Sequence, residues 1–359
     1  MRIIQLIDSL EAGGAERMAV NYGNALASCI DFSAVASTRA EGPLRAALLP
    51  TTHYFFLNKK SALDPKAIWR LRQIVKRHKV EMVHAHSTSI VTAFLLKLVC
   101  PSIKLIWHDH YGDSNFLNKR DKGLFRMILP FFNGIISVNH DLKKWTIEQL
   151  HFANTVYIPN FPVVDFDTTA AIRLKDDANK RIVCLANLRP QKNHFLLLEV
   201  ALLVRQSHPD WTFHLIGKDF DDDYSFRIKA KIKALDLEQT IFLYGTQNAV
   251  QEILAQANIG ILTSASEGLP VALLEYGLAR LAVVTTAVGE IPSIITEDKN
   301  GFLVLNQEAA EFYEKLVQLM ESTQLQNKFG LALNKTIKES YSQESALDVY
   351  MPWVQKIVK

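Results

Sequence analysis

Residues 264–279 read SASEGLPVALLEYGLA, and the order of residue types within them decides the fold reading. They follow Ile259-Gly-Ile-Leu-Thr263, a short apolar run of strand type. Gly268 and Pro270 then break the pattern, and Val271 to Leu274 open an apolar helical stretch. Proline is tolerated in the first helical turn, where its missing N–H costs nothing. The segment therefore predicts strand, short loop and helix, with Glu267 in the loop and Glu275 about two turns into the helix. A helix start presents unpaired N–H groups and the positive end of the macrodipole, and both attract phosphate. A carboxylate at the mouth can accept hydrogen bonds from sugar hydroxyls, and a second one along the helix can reach a ribose. A bare pair of glutamates at this spacing also suits a solvated helix. The Ser-x-x-Glu-Gly-Leu-Pro context, between a buried strand and an apolar helix, favours a nucleotide-sugar site.

Outward from this segment, short apolar runs alternate with amphipathic stretches. Strand candidates in the first half are Arg2–Ile7, Phe32–Ser37, His53–Leu57, Met82–Ala85, Lys104–Trp107 and Gly134–Val138. Those in the second half are Arg181–Ala186, Thr212–Ile216, Ile241–Tyr244, Ile259–Thr263, Ala282–Thr285 and Phe302–Val304. Helical patterns between them, such as Pro65–Arg77 and Phe195–Gln206, complete two parallel-sheet α/β units. Ligands of such sheets bind beyond the carboxyl ends of the strands. The boundary is expected near Asn160–Asp177, where apolar runs yield to Pro, Asp, Thr and Lys. This divides the chain into 1–165 and 166–342, with a last helix over 343–359.

The chain has 359 residues, room for two domains of roughly 100–200 residues each. A hydrophobic content of 48% supports two packed cores and argues against disorder. Cys29, Cys100 and Cys184 show neither a disulfide framework nor metal-ligand spacing, the usage of a reducing compartment. The apolar part of the N-terminal MRIIQLIDSLE is too short for a signal peptide, and Asp8 interrupts it. No run of 18 apolar residues suggests a membrane span, so a cytoplasmic protein is expected. Residues 1–165 hold 20 Lys+Arg against 13 Asp+Glu, whereas 166–359 hold 20 against 24. A basic half beside an acidic one suits nucleic acid, an anionic membrane or phosphorylated substrates alike.

Several loops carry candidate chemistry. In Asp8-Ser-Leu-Glu-Ala-Gly-Gly-Ala-Glu-Arg17, the N–H groups of Gly13 and Gly14 can approach a phosphate without a Cβ clash. A plain tight turn explains the pair equally well, and it is not the G-x-G-x-x-G of a dinucleotide site. Val83-His-Ala-His-Ser87 and Trp107-His-Asp-His-Tyr-Gly112 each place two imidazoles at a strand end. That spacing suits a metal or, as expected here, hydrogen-bonded loop histidines. In Val183-Cys-Leu-Ala-Asn-Leu-Arg-Pro-Gln-Lys-Asn-His194, Arg189 and Lys192 suit the charge growing on a departing diphosphate, or are solvated loop cations. Gly217, Gly245 and the loop Ala287-Val-Gly-Glu-Ile-Pro292 follow strands in the same way. Finally, 115–132 (NFLNKRDKGLFRMILPFF) mixes Lys119, Arg120, Lys122 and Arg126 with large apolar residues. It reads either as an anionic-membrane contact or as a helix packed on the sheet.

With these loops in order around it, the 264–279 segment closely resembles the signature of the family 4 (group 1) retaining glycosyltransferases, over most of the chain. The resemblance implies the GT-B fold: two Rossmann-like α/β domains facing across a cleft, with the terminal helix 343–359 crossing back to the first. Residues 1–165 would bind the acceptor and 166–342 the donor. The resemblance assigns Glu267 to the donor sugar and Glu275 to the ribose. His110 would lie by the sugar and the incoming hydroxyl, with His108 two residues away and His86 at a weaker, structural position. Lys192 matches the family lysine. The usual arginine position holds Asn187, so Arg189 would reach the diphosphate from a shifted place. Gly13, Gly14, Gly268 and Leu269 would offer backbone to the donor, Gly217 would line the nucleotide site, and Gly245 would lie where the base is read. Pro292-Ser293 stands where Pro-Glu is usual.

The implied reaction is retaining transfer from a nucleoside-diphosphate sugar, most commonly a UDP-sugar, to a hydroxyl of a glycan acceptor. A polyprenyl-diphosphate-linked acceptor in O-antigen or capsule synthesis is the implied setting, peripheral on the inner face of the cytoplasmic membrane. No metal, other cofactor or nucleic acid is implied. Two rivals are a GT-B sugar-nucleotide epimerase and a non-catalytic sugar-nucleotide or lipid-binding module. The presence of Glu267, Glu275 and Lys192 together argues against the latter.

Overall fold

The structure, a computed structural model, describes residues 1–11, 13–111, 117, 120–163, 172–177, 179–247 and 249–359. Gly112, Asn115, Phe116 and Lys119 of the sequence motifs, and the middle of the expected boundary, lie outside the described residues. The chain divides into two compact units, Met1–Val163 with Gln343–Lys359, and Val164–Ser342.

The first unit holds a parallel sheet of β1 (Arg2–Ile7), β2 (Phe32–Ser37), β3 (His53–Phe56), β4 (Met82–His86), β5 (Lys104–Asp109), β6 (Gly134–Ser137) and β7 (Thr155–Tyr157). Their order is β3-β2-β1-β4-β5-β6-β7. The chain builds outward from β1 to one side, then returns to build outward from β4 on the other. The reversal between β1 and β4 leaves a crevice at their carboxyl ends, the usual place for a ligand in such sheets. One face packs on the helices Pro65–Arg77 and Ile90–Val99 through Leu71, Val75, Ala93 and Leu96. Asp64 starts the first of these by accepting the N–H groups of Lys66 and Ala67. The other face packs on the helices Gly14–Ala27 and Gln343–Val358. There Met18, Tyr22, Tyr350 and Val354 meet Ile3, Met82, Ile106 and Ile136.

The second unit holds a parallel sheet of β8 (Arg181–Leu185), β9 (Thr212–Ile216), β10 (Ile241–Leu243), β11 (Ile259–Leu262), β12 (Ala282–Thr286) and β13 (Phe302–Val304), ordered β10-β9-β8-β11-β12-β13. Here the reversal falls between β8 and β11. Both faces are covered, which is why these strands read as nearly continuous apolar runs. Among the described residues, no helix is long and apolar enough to cross a membrane.

Two sequence expectations change. β7 is short and follows no apolar run, so it left no signal in the pattern. β4 and β5 continue through His86 and Asp109, so His86 and His108 join His84 inside strands rather than lying in loops after them.

Candidate functional site

In the second unit, the loop after β11 begins at Thr263 and ends at Pro270, the N-cap of the helix Val271–Leu278. Pro270 keeps an extended ψ of 116°, which delays the helix. Glu275 therefore stands just over one turn into it, not two. Its neighbour Tyr276 fixes the helix to the sheet. The fully buried phenol accepts the Leu185 N–H at 2.6 Å and donates toward Ile261 O at 3.2 Å. Its ring lies against Gly260, where a Cβ would meet Tyr276 Cδ2 at 2.7 Å. Glu275 is thus held, buried, on a helix whose rotation is set.

Lys192 donates to Glu267 Oε1 at 2.6 Å, and Ser264 Oγ donates to the same oxygen at 2.7 Å. The carboxylate side chain is 7% exposed and the lysine side chain 22%. The pair joins the loops after β8 and β11, so it lies at the strand-order reversal of this sheet. Two backbone-level contacts hold the loops together. Ala265 N donates to Gln191 O at 2.8 Å, and Thr263 Oγ1 donates to Lys192 O at 3.1 Å. From the opposite side, Thr286 Oγ1 donates to Ser264 O at 2.6 Å and Glu290 N to Gly268 O at 2.9 Å. Gly289, at φ +56°, lies so close that a Cβ there would overlap the Glu267 carbonyl oxygen. An ammonium has three donors. Glu267 uses one, which leaves Lys192 able to bridge that carboxylate to an anion.

The loops after β8 and β9 are also knit. Asn187 Oδ1, at the family's usual arginine position, accepts the Lys218 N–H at 2.7 Å. Gly217 N donates to Gly245 O at 3.0 Å. A cavity of about 240 Å³ opens beside them, lined by Ala186, Leu188, Gly217, Asp219, Lys229 and Gly245. Arg189 is exposed, and its guanidinium lies 4.5 Å from the centre of the Phe220 ring. It is not brought to the Lys192–Glu267 pair by any direct bond. Burial, with Lys192 nearby, pushes His194 down to about 4, and burial pushes the Cys184 thiol up to about 12. Neither group ionises near neutrality.

In the first unit, Gly13 caps the helix Gly14–Ala27 in an extended conformation, and the Glu16 carboxylate lies over it. Four histidines share one sheet face. His84, His86 and His108 are fully buried, whereas His110 keeps partial exposure. His110 rather than His108 therefore has an accessible edge. Burial holds all four well below the ordinary imidazole value, and His110 at about 3. Ring nitrogens of His84, His86 and His108 lie within 4.8 Å of one another. However, the His84 ring stacks on His86 at 4.3 Å and on His108 at 5.2 Å, with interplanar angles of 24° and 12°. The ring nitrogens of His84 and His86, with Nδ1 of His108, are engaged with one another and with Gln5, Tyr350 and His110.

The membrane reading of 115–132 loses its Arg120. That guanidinium, 9% exposed, makes a two-pronged ion pair with Asp109 at 2.6 and 2.9 Å. Tyr111, Trp145, Phe125 and Trp107 surround it. Ile128, Leu129 and Phe132 are core residues, and Lys122 and Arg126 bond Gln149. Leu124, Met127 and Phe131 remain exposed. Ser264 and Thr286 are contributors to the Glu267 loop that sequence reasoning missed, whereas Arg120 reads in the sequence as a headgroup cation. Only Ser264 left a trace, as the Ser three residues before Glu267.

The family Glycosyl transferases group 1 matches residues 165–335, and Glycosyltransferase Family 4 matches residues 12–165. The chain belongs to the group 1, family 4 glycosyltransferases. Family relatives include the poly(ribitol-phosphate) alpha-N-acetylglucosaminyltransferase of Staphylococcus aureus, 26% identical over 68% of this chain and 48% of that protein. The chain thus spans about half the length of that relative. Another is the UDP-Gal:alpha-D-GlcNAc-diphosphoundecaprenol alpha-1,3-galactosyltransferase of Escherichia coli, 23% identical over 79% of each chain. The solved structure of S. aureus TarM with fondaparinux, alpha-GlcNAc-glycerol and UDP matches with TM-score 0.80 at 15% identity, over 98% of this chain and 99% of that one. Anabaena HepE with UDP and glucose matches with TM-score 0.80 at 16% identity, over 99% of both. These likenesses give the family the GT-B fold in this chain, two Rossmann-like α/β domains.

Proposed function

We propose that this glycosyltransferase moves a sugar from a nucleoside-diphosphate sugar, a UDP-sugar, to a hydroxyl of a lipid-linked glycan acceptor, with retained anomeric configuration. The observation that carries the reading is the Lys192–Glu267 pair at the carboxyl ends of β8 and β11. A diphosphate placed there meets one ammonium with donors to spare and the N–H groups of Gly268 and Leu269 at a helix start. Glu275 takes the ribose, and the loops of Gly217 and Gly245 take the base. Lys192 offsets charge growing on the departing diphosphate, with Arg189 a more distant contributor. Glu267 accepts hydrogen bonds from the sugar; the family resemblance adds His110 and the Gly13–Gly14 loop as further candidates. The leaving phosphate serves as base for the incoming hydroxyl, so no metal and no other cofactor is needed.

The UDP-sugar donor is supported by the UDP bound to TarM and HepE, and the lipid-linked acceptor by the E. coli relative. Surface-polysaccharide synthesis at the inner face of the cytoplasmic membrane follows from such an acceptor, with Leu124, Met127 and Phe131 as the exposed apolar side chains of 115–132. The test is a panel of UDP- and GDP-sugars with polyprenyl-diphosphate-linked acceptors, in EDTA. UDP release that requires acceptor and disappears in Glu267→Ala supports the reading. NMR of the product reads the anomeric configuration. Nucleotide-sugar consumption without acceptor contradicts it and favours epimerisation.

A further inference from the structure

The polar residues on the buried face of the first sheet form two hydrogen-bonded rows, one beginning at the Gln5 amide and the other at the Tyr350 hydroxyl. Gln5 lies on β1, opposite His84 of β4, and His86 lies opposite His108 of β5. The first row runs from Gln5 Oε1 to His86 Nε2 at 2.8 Å, then from His86 Nδ1 to His110 Nε2 at 3.0 Å. The second runs from the Tyr350 hydroxyl to His84 Nδ1 at 3.2 Å, then from His84 Nε2 to His108 Nδ1 at 3.2 Å. Among the described residues, Gln5 Nε2 and His108 Nε2 have no hydrogen-bond partner. Gln5, His84, His86 and His108 are fully buried, so water does not substitute for these partners.

A neutral imidazole has one donor and one acceptor, so each bond dictates the next. A carbonyl oxygen only accepts; His86 must therefore carry its proton on Nε2 and accept at Nδ1. His110 must then donate from Nε2, which leaves Nδ1 with a bare lone pair. The second row has no such fixed acceptor at its start: the Tyr350 hydroxyl can donate to His84 Nδ1 or accept from it. His84 and His108 therefore follow one another, both Nε2–H or both Nδ1–H. With burial keeping all four rings neutral, the position of each proton is the one remaining variable.

We propose that Gln5 is a positioning residue: its side-chain amide locks His86 and His110 in the Nε2–H tautomer and so presents His110 Nδ1 as a hydrogen-bond acceptor. Reversal of that amide inverts the first row and turns His110 Nδ1 into a donor. The tautomer assignment stands apart from the proposed reaction. Its consequence, that His110 receives a hydroxyl proton from a substrate rather than offering one, rests on that reading.

Long-range 1H–15N correlation spectra of 15N-histidine-labelled full-length protein at pH 7, without substrate, test the assignment. Single His→Asn variants assign the signals. His86 and His110 are expected in the Nε2–H form. Either one found mainly as Nδ1–H, or with shifts of a metal-bound ring, overturns the inference. Gln5→Leu, close in size and apolar, should release His86 and His110 into mixed tautomers. Gln5→Glu, which keeps the acceptor oxygen, should restore Nε2–H at both. Unchanged tautomers in Gln5→Leu also overturn it. Because no turnover is measured, failure here is distinct from failure of the proposed transfer.

Discussion

Lowering the pH from 7 to 5 should strip several kcal/mol of stability from the first unit. His84, His86 and His108 are fully buried, and burial holds each far below the ordinary imidazole value. The unfolded chain binds a proton at each with a pKa of about 6.5. Below that value the unfolded state holds more protons than the native one, so stability rises with pH there. The contribution is complete above about 6.5, is lost as the pH falls through it, and levels off only below the native values. An imidazole that stays neutral in the fold costs much less than about 1 kcal/mol at pH 7 and about 2 kcal/mol at pH 5. Three of them amount to about 5–6 kcal/mol, against a typical domain stability of about 5–15 kcal/mol. Tyr22 and Tyr350 face the cluster and stay neutral, because burial raises both, so no acid compensates there. The second unit buries His194 and His214, both pushed to about 4, and should lose less. Urea titrations at both pH values, read by peptide-resolved hydrogen exchange, separate the units. A β4–β5 protection free energy that is equal at pH 7 and pH 5 refutes the reasoning.

Three further outcomes follow from the second unit. Glu267→Ala should lower transfer by at least about 100-fold, as loss of an electrostatic transition-state contact does, with the melting temperature changed little because Lys192 keeps access to water. Lys192→Met should be the more destabilising of the two, by about 3 kcal/mol, since it leaves the more buried carboxylate with Ser264 but no cation; paired urea midpoints in the reverse order contradict this. Gly289→Ala should cost about 1–3 kcal/mol through its positive φ and the overlap with the Glu267 carbonyl, and should raise the KM for the donor, whereas wild-type kinetics would show that the loops move independently.

The parts of this protein that were legible in its sequence are those fixed by local pattern. Strand runs in the second unit are apolar because both sheet faces are covered, and the run itself carries that information. Lys192 and Glu267 were identifiable as residue types in strand-end loops. Their direct bond was not, because it spans 75 positions and depends on β8 pairing with β11. Strand order is a property of the whole sheet, and no window of sequence holds it. The same limit explains Arg120. Among lysines and phenylalanines it reads as a headgroup cation, until the fold brings in Asp109 and four aromatic rings. It also explains the histidines, which mark a loop by polarity yet extend β4 and β5 because they satisfy one another.

The two polar clusters occupy equivalent places in their sheets. Lys192 and Glu267 follow β8 and β11; Gln5 and His86 lie on β1 and β4. Each pair straddles the point where its sheet reverses strand order, and there the connections leave in opposite directions and uncover the strand ends. Polar side chains placed there can be held by neighbouring strands without filling the crevice above them. Elsewhere along the same strands a buried Gln or His would lack partners and cost about 1–3 kcal/mol. Among the described residues, these two positions are ones where the topology both supports polar groups and leaves room above the strand ends.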